Sequence, residues 1–528
     1  MSFNCATHHF FKVFATDLQP LFKMPSRTTL RADCVALYEE ENGLLYDLFA
    51  KMDCKVSFTS DLWTCKGKDR GFMALTCHYI DDDWKLRKRL LNFTPMPSRH
   101  TGQHISQAIY DKLILWNLDK KAFSLVLDNA SSNDAAINDL LSRSQFRKNL
   151  LCDGNLFHQR CACHILNLIV QDGLSVMSGQ IDAIRDTMKY IKHSQSRMEK
   201  FKLAASQEDV SYRKPAYDVQ TRWNSTYLML DLALHLKKAI IRYAKLDVRY
   251  PFSLSDDHVV TLHGHLKVFY DTTLKFSGTK YPTLNLCFPD FCEGYLTIRN
   301  MYSSLYPFIV DMGKEMFRKW NKYWENGNIL LAVACALDPR CKLHVVEYYF
   351  KMLHSSELQD FMTNLKQCFD DMFNEYLLAN TNASQSQTGC TAHASGSSSG
   401  SVQQTNTKAG LKDFLNVKKQ YDPMISELDQ YLTEPLDHSS LDDDFDILSW
   451  WKLKAPKYPV LARLARDVLA VPISTVASES AFSNAGRTLS PTRNSLNDES
   501  VEALICAQNW LRTSVIGIFA PIFIFFST

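Results

Sequence analysis

Of the 57 acidic residues in this chain, three are set apart by their surroundings. Asp61 lies in Phe58-Thr59-Ser60-Asp61-Leu62-Trp63, an apolar-flanked stretch where a charge is costly unless a cation or a donor compensates it. Asp128 closes the almost wholly apolar run 122–127 and is followed by Asn129 and the small, polar turn Ala130-Ser131-Ser132-Asn133. Open sheets place their sites beyond the carboxyl ends of their strands, so a metal ligand is expected at Asp128. A bland reading stands beside each: an Asx turn or helix cap for Asp128, and a satisfied strand aspartate for Asp61. Glu479 is the one acid of the small-residue run 471–487. Small side chains let a helix lie close against a sheet, which carries Glu479 inward, whereas spacing alone reads it as an exposed helix glutamate.

Two further clusters carry chemistry. Cys161-Ala162-Cys163-His164 combines thiols with an imidazole, but tetrahedral zinc needs four ligands and no second Cys/His pair follows at finger spacing, so no zinc is expected. His164 then reads as a helix-start histidine that donates to a phosphate, since a helix N-terminus already favours anions. Arg222-Trp223-Asn224-Ser225 joins a phosphate-binding guanidinium to an aromatic face, the combination that holds an extrahelical base; by itself such a Trp is more often core.

The elements that must position these residues follow from periodicity. Residues 55–64, 71–79 and 85–93 read as three strands, the last two joined by the turn Asp81-Asp82-Asp83. Residues 102–118 have the three- and four-residue spacing of a helix, 122–127 is a buried central strand, and a helix is expected over 134–142. A short strand near 156–160 leads into a helix at 164–170. Three antiparallel strands, helix, strand, helix, strand, helix is the order of an RNase H-like domain, in which the first and fourth strands are neighbours and could bring Asp61 to Asp128. From 181 to 436 the pattern is helical, with amphipathic segments at 184–202, 223–244, 258–276 and 329–352. The Ser, Gln, Thr, Asn and Gly of 381–410 predict a disordered loop, and a last helical block runs over 445–511.

Composition restricts the class. With 46% hydrophobic and 22% charged residues the chain is neither globally disordered nor a membrane protein. A net charge of +2 supplies no whole-protein basic footprint, so any nucleic-acid contact must come from local clusters such as Lys85-Leu86-Arg87-Lys88-Arg89. Fifteen scattered cysteines suit a reducing nucleus or cytosol. No signal peptide is read at the start, and the apolar run 515–526, broken by Pro521, is shorter than a membrane span and reads as an extension of doubtful origin.

Four stretches in order resemble the hAT (hobo/Activator) transposase superfamily and, within it, plant RICESLEEPER/DAYSLEEPER-like proteins. They are Thr59-Ser60-Asp61-Leu62-Trp63-Thr64; Leu127-Asp128-Asn129-Ala130 with Arg160-Cys161-Ala162-Cys163-His164-Ile165-Leu166-Asn167-Leu168; Thr221-Arg222-Trp223-Asn224-Ser225-Thr226-Tyr227; and Trp450-Trp451 through Pro472 and Ser478-Glu479 to Arg493-Asn494-Ser495-Leu496. Leu337-Asp338-Pro339-Arg340 adds to them. The resemblance implies an α/β plus all-α chain: an RNase H-like core with a mixed five-stranded sheet (55–180), interrupted by a helical insertion (181–440) and completed by a C-terminal dimerisation block (441–512). Residues 1–54 are then a helical remnant without the family's BED zinc finger, and 513–528 a tail. It assigns Asp61, Asp128 and Glu479 as catalytic and metal-binding acids for Mg²⁺ or Mn²⁺, His164 a place near the scissile phosphate, and Arg222 and Trp223 a hold on DNA with the Trp stacked on a flipped base. The implied protein is a nuclear DNA-binding dimer or higher oligomer, domesticated or truncated, able to pair with related hAT proteins and without membrane contact. Its alternatives are an active metal-dependent transposase and a dimerisation-only module.

Overall fold

The computed structural model describes residues 6–65, 70–97, 101–251, 256–324, 329–354, 356–387, 425–437, 445–489 and 496–513. Five strands, β1 (Val56–Thr64), β2 (Gly71–Ile80), β3 (Leu86–Met96), β4 (Ala122–Leu127) and β5 (His158–Arg160), form one mixed sheet in the order β3-β2-β1-β4-β5. β1 runs antiparallel to β2 and β2 to β3, while β1–β4 and β4–β5 are parallel. The expected neighbourhood of the first and fourth strands is therefore present. All ten residues of β2 and all six of β4 are buried, which is why both read as nearly unbroken apolar runs. The β2–β3 hairpin closes through Asp81, whose Oδ1 accepts the Lys85 N–H at 2.9 Å, with Trp84 in the left-handed region at φ 61°.

β3 is an edge strand, and the C-terminal helix Asp498–Thr513 covers its open backbone groups. Asn509 Oδ1 accepts the Leu90 N–H at 3.0 Å and the Trp510 indole donates to Leu90 O at 2.7 Å. Farther along the strand, Glu502 Oε1 takes the Phe93 N–H and the Asn92 amide. The end of the chain thus finishes a sheet begun some four hundred residues earlier.

Two hydrophobic cores result. One fills the sheet with the helices Arg27–Lys51, Gly102–Leu115, Val476–Thr488 and Asp498–Thr513. The other joins the insertion helices to Ile447–Lys454 and Pro459–Leu469. The last block is consequently divided between both cores and binds them to each other.

Several expected helices are divided into shorter ones. The segment 184–202 divides at Ser194, whose hydroxyl caps Gln195–Gln207 by accepting the Arg197 N–H at 3.2 Å. The segment 223–244 divides at Leu236, and 329–352 at Asp338-Pro339, where Asp338 receives the Arg340 guanidinium at 2.8 and 2.9 Å. The helix Ser178–Lys192 crosses the boundary expected at 180. Residues 381–387, assigned by composition to a disordered loop, instead continue the helix Leu358–Gln387; the remainder of that loop, 388–410, lies outside the described residues, as does the tail from 514. Composition failed at 381–387 because a helix already packed upstream propagates at little cost through polar residues. Among the described residues no helix is long and apolar enough to cross a membrane.

Candidate active site

The parallel β1–β4 ladder sets the site's register. Thr59 is level with Val126, the last pair of that ladder, and two residues further along each chain come Asp61, still in β1, and Asp128, just past the end of β4. Asp61 accepts the Leu62 N–H on Oδ1 at 2.8 Å. Burial pushes its carboxyl up to about 7; the Leu62 N–H opposes that shift, and the negative charges of Glu479 and Asp128 reinforce it. Among the described residues no Lys, Arg or His pairs with Asp61. Asp128 makes the Asx turn of the bland reading: its Oδ1 accepts the Ala130 N–H at 3.0 Å and an amide hydrogen of Asn133.

Glu479 arrives on the helix Val476–Thr488, which lies close because Ala477, Ser478, Ala481 and Ala485 on its inner face are small and buried. Ser478 fixes the docking: its Oγ donates to Thr59 O at 3.0 Å and lies 2.7 Å from Thr59 Oγ1. Phe482, one turn on, stacks against Trp63. Glu479 itself is exposed, with Oε1 3.1 Å from the Thr475 hydroxyl, yet its charge is felt at Asp61. Oxygen donors of this kind suit a hard divalent cation. As arranged, no three His, Cys, Asp or Glu side chains among the described residues close around one ion. Enclosure needs the exposed Glu479 side chain to rotate inward, while the charge of Asp128 is already felt at Asp61.

His164 is half-buried at the third residue of the helix Ala162–Ser175, which starts where Cys161 N–H extends the β4–β5 pairing to Leu127 O at 2.9 Å. It therefore stands at the same end of the sheet as Asp128. Cys161 is buried against Thr475, whose N–H and Oγ1 lie 3.5 and 3.4 Å from its sulfur. Cys163 is 3.7 Å from Ser277 Oγ, and burial pushes its thiol up to about 12. The two sulfurs join the first and last parts of the chain to the insertion.

Trp223 requires a correction. It is 2% exposed, its ring lies edge-on to Tyr227 and Tyr270, and its Nε1 is buried without a hydrogen-bond partner. No face is open for a base. The physical reason is its place as first residue of Trp223–His235, where the large apolar ring fills the insertion core and leaves Arg222 exposed outside. Sequence reasoning also missed Asn133 and Ser478 as the residues that hold Asp128 and seat the Glu479 helix. Their signal was adjacency: a polar residue in the Asp128 turn, and a hydroxyl beside the single acid of a small-residue run.

With this geometry established, comparison with known proteins gives consistent matches. Residues 427–511 match the hAT family C-terminal dimerisation region, and 285–376 the hAT-like transposase, RNase-H fold. Residues 59–156 match the ZBED1 RNase-like domain and 159–262 the ZBED1 RNase-like helical domain. The chain is 40% identical over 97% of its length to the maize protein named "Putative AC transposase", spanning 63% of that relative. It is 36% identical to the rice zinc finger BED domain-containing protein RICESLEEPER 2, covering 95% of this chain and 71% of the relative. For the Arabidopsis zinc finger BED domain-containing protein DAYSLEEPER the identity is 30%, over 96% and 71%.

Proposed function

Because this chain belongs to the hAT transposase family, we propose that it is a transposase-derived nuclear protein that binds DNA and dimerises through residues 427–511, with itself or with related hAT proteins. The observation that carries the DNA reading is the desolvated Asp61, with Asp128 and Glu479 in electrostatic reach and, among the described residues, no cation paired with it. Such a cluster calls for external positive charge, which a phosphodiester strand shares when divalent ions bridge it to carboxylates. Mg²⁺ or Mn²⁺ held there by Asp61, Asp128 and Glu479 would supply Lewis-acid stabilisation of the oxygens attacking and leaving phosphorus.

The chain's own residues prepare that arrangement. Leu62 N–H holds Asp61 Oδ1, Ala130 and Asn133 hold Asp128 Oδ1, and Ser478 holds the helix from which the exposed Glu479 would turn inward. His164, at the same end of the sheet, is placed to donate to a phosphate oxygen, and the exposed Arg222 to meet the backbone of bound DNA.

A second reading, an active transposase that cuts and joins strands, is favoured by the presence of all three acids. One experiment separates the readings. The protein should retard duplex DNA in a gel, and a competent enzyme should also nick supercoiled plasmid with Mn²⁺, with Asp128→Asn lowering nicking by at least about a thousandfold. Retardation without nicking leaves the binding reading alone. Dimers that retard no DNA would sink it and leave a dimerisation module.

A further inference from the structure

The second charged region of the molecule lies in the insertion. Residues 186–249 hold 13 Lys and Arg against seven Asp and Glu, although the whole chain carries only +2, so the rest of the protein is net acidic. Between the helices Gln195–Gln207 and Trp223–His235 the chain crosses this region without regular structure, exposing Tyr212, Arg213, Lys214, Tyr217 and Arg222.

This loop is tied at both of its ends. His235 Nε2 lies 2.8 Å from Ser211 O, and the Gln171 amide donates to Gln220 O at 3.2 Å. Ser225 Oγ accepts the Val219 N–H at 2.8 Å. Asp218, with its side chain wholly buried, receives Arg185 Nε and Nη2 at 2.6 and 2.8 Å and the Thr226 hydroxyl at 2.7 Å. Tying the two ends limits how far the backbone between them can wander, which lowers the entropy cost of placing its exposed cations on a partner. Two neighbouring helices extend the charge: Lys192 Nζ is 4.9 Å from the Tyr217 ring centroid, and Lys202 Nζ 5.3 Å from that of Tyr212. Arg213, Lys214 and Arg222 make no ion pair among the described residues.

We propose that this strapped loop, with the Lys192 and Lys202 helix faces beside it, is a docking surface for the phosphodiester backbone of duplex DNA. The inference rests on the reading that the protein binds DNA and names where, outside the carboxylate site, it does so. Charge complementarity favours this occupant: a cluster of exposed cations, two of them over tyrosine rings, suits a polyanion and reads no base. An acidic carboxylate cluster at the sheet repels the same polyanion in the absence of metal, so attraction must come from elsewhere on the molecule.

The test is binding of the full chain to a fluorescent duplex of arbitrary sequence across a salt series, comparing wild type, Arg213→Gln/Lys214→Gln and the distant exposed control Lys351→Gln. The double variant should bind on the order of tenfold more weakly, with its log–log salt slope shallower by about 2. A second, unrelated duplex should suffer the same loss, and the melting temperature should not move because both side chains are exposed. An unchanged slope, or an equal loss in Lys351→Gln, would overturn the surface while leaving DNA binding intact. Wild type that binds no duplex overturns the parent reading as well. Weakening confined to single-stranded oligonucleotide and matched by Tyr212→Ala/Tyr217→Ala would replace the duplex surface with a base-stacking one.

Discussion

Asp61 on the sheet and Asp218 in the insertion are both withdrawn from water, and they respond in opposite directions. For each, burial works against the charged form. At Asp218 the Arg185 guanidinium and the Thr226 hydroxyl outweigh burial and hold the carboxyl below its usual range. At Asp61 one backbone N–H is outweighed, and the carboxyl rises to about 7. The same side chain is thus a structural strap where the fold supplies a cation, and an acid held toward its protonated form where the fold supplies burial and more acids. Burial alone distinguishes neither case; the partners do.

The comparison can be broken most forcefully at its compensated end. Arg185→Ala leaves Asp218 buried without its cation and should cost about 3–5 kcal/mol. The loss is read as a lower melting temperature together with faster hydrogen exchange across 208–222. Exchange unchanged in that loop would show that the ion pair is not what holds it.

At the uncompensated end the effect is pH-dependent. Asp61 ionises near its ordinary value, 3.8, in the unfolded chain and near 7 in the folded one, so between those values the folded state holds more protons. Metal-free stability should therefore fall as pH rises from about 4 to about 7 and level off above, by at most about 4 kcal/mol from this group. Asp61→Asn should remove that fall, raising the melting temperature at pH 8 while leaving it unchanged at pH 4, and saturating Mg²⁺ should narrow the difference. A wild-type melting profile equally steep with and without Asp61 would reject the assignment.

The smallest effect concerns the seat of the third acid. Ser478→Ala removes the hydrogen bond to Thr59 O and the contact with Thr59 Oγ1, costing about 1–2 kcal/mol. If Ser478 sets the position of Glu479, the Asp61 titration should also move toward the ordinary carboxylate range. A destabilised protein with that titration unmoved would make Ser478 a packing residue only.

Much of the site was legible in residues because strands announce themselves by period and by apolar runs. The 122–127 run and the alternation after Lys55 placed Asp61 and Asp128 near the ends of their strands. Glu479 was legible as the acid of a small-residue run, but its inner face could be read only as a tendency to pack closely. Trp223 was misassigned because a Trp beside an Arg has the same sequence whether it stacks on a base or fills a core. The breaks at Ser194, Leu236 and Asp338 were missed because helical periodicity continues across a cap when both flanking helices bury the same kind of face.

The order of strands and helices, the identity of the three acids and the concentration of positive charge over 186–249 belong to the sequence, because each depends on residue type and near spacing. Tertiary structure alone decided that the strands carrying Asp61 and Asp128 are parallel neighbours, that Arg185 reaches Asp218, and that a helix from the chain's end covers β3 while its neighbour seats Ser478 against β1. Those facts depend on which distant surfaces meet, and a one-dimensional pattern specifies the faces to be buried without specifying the partners that bury them.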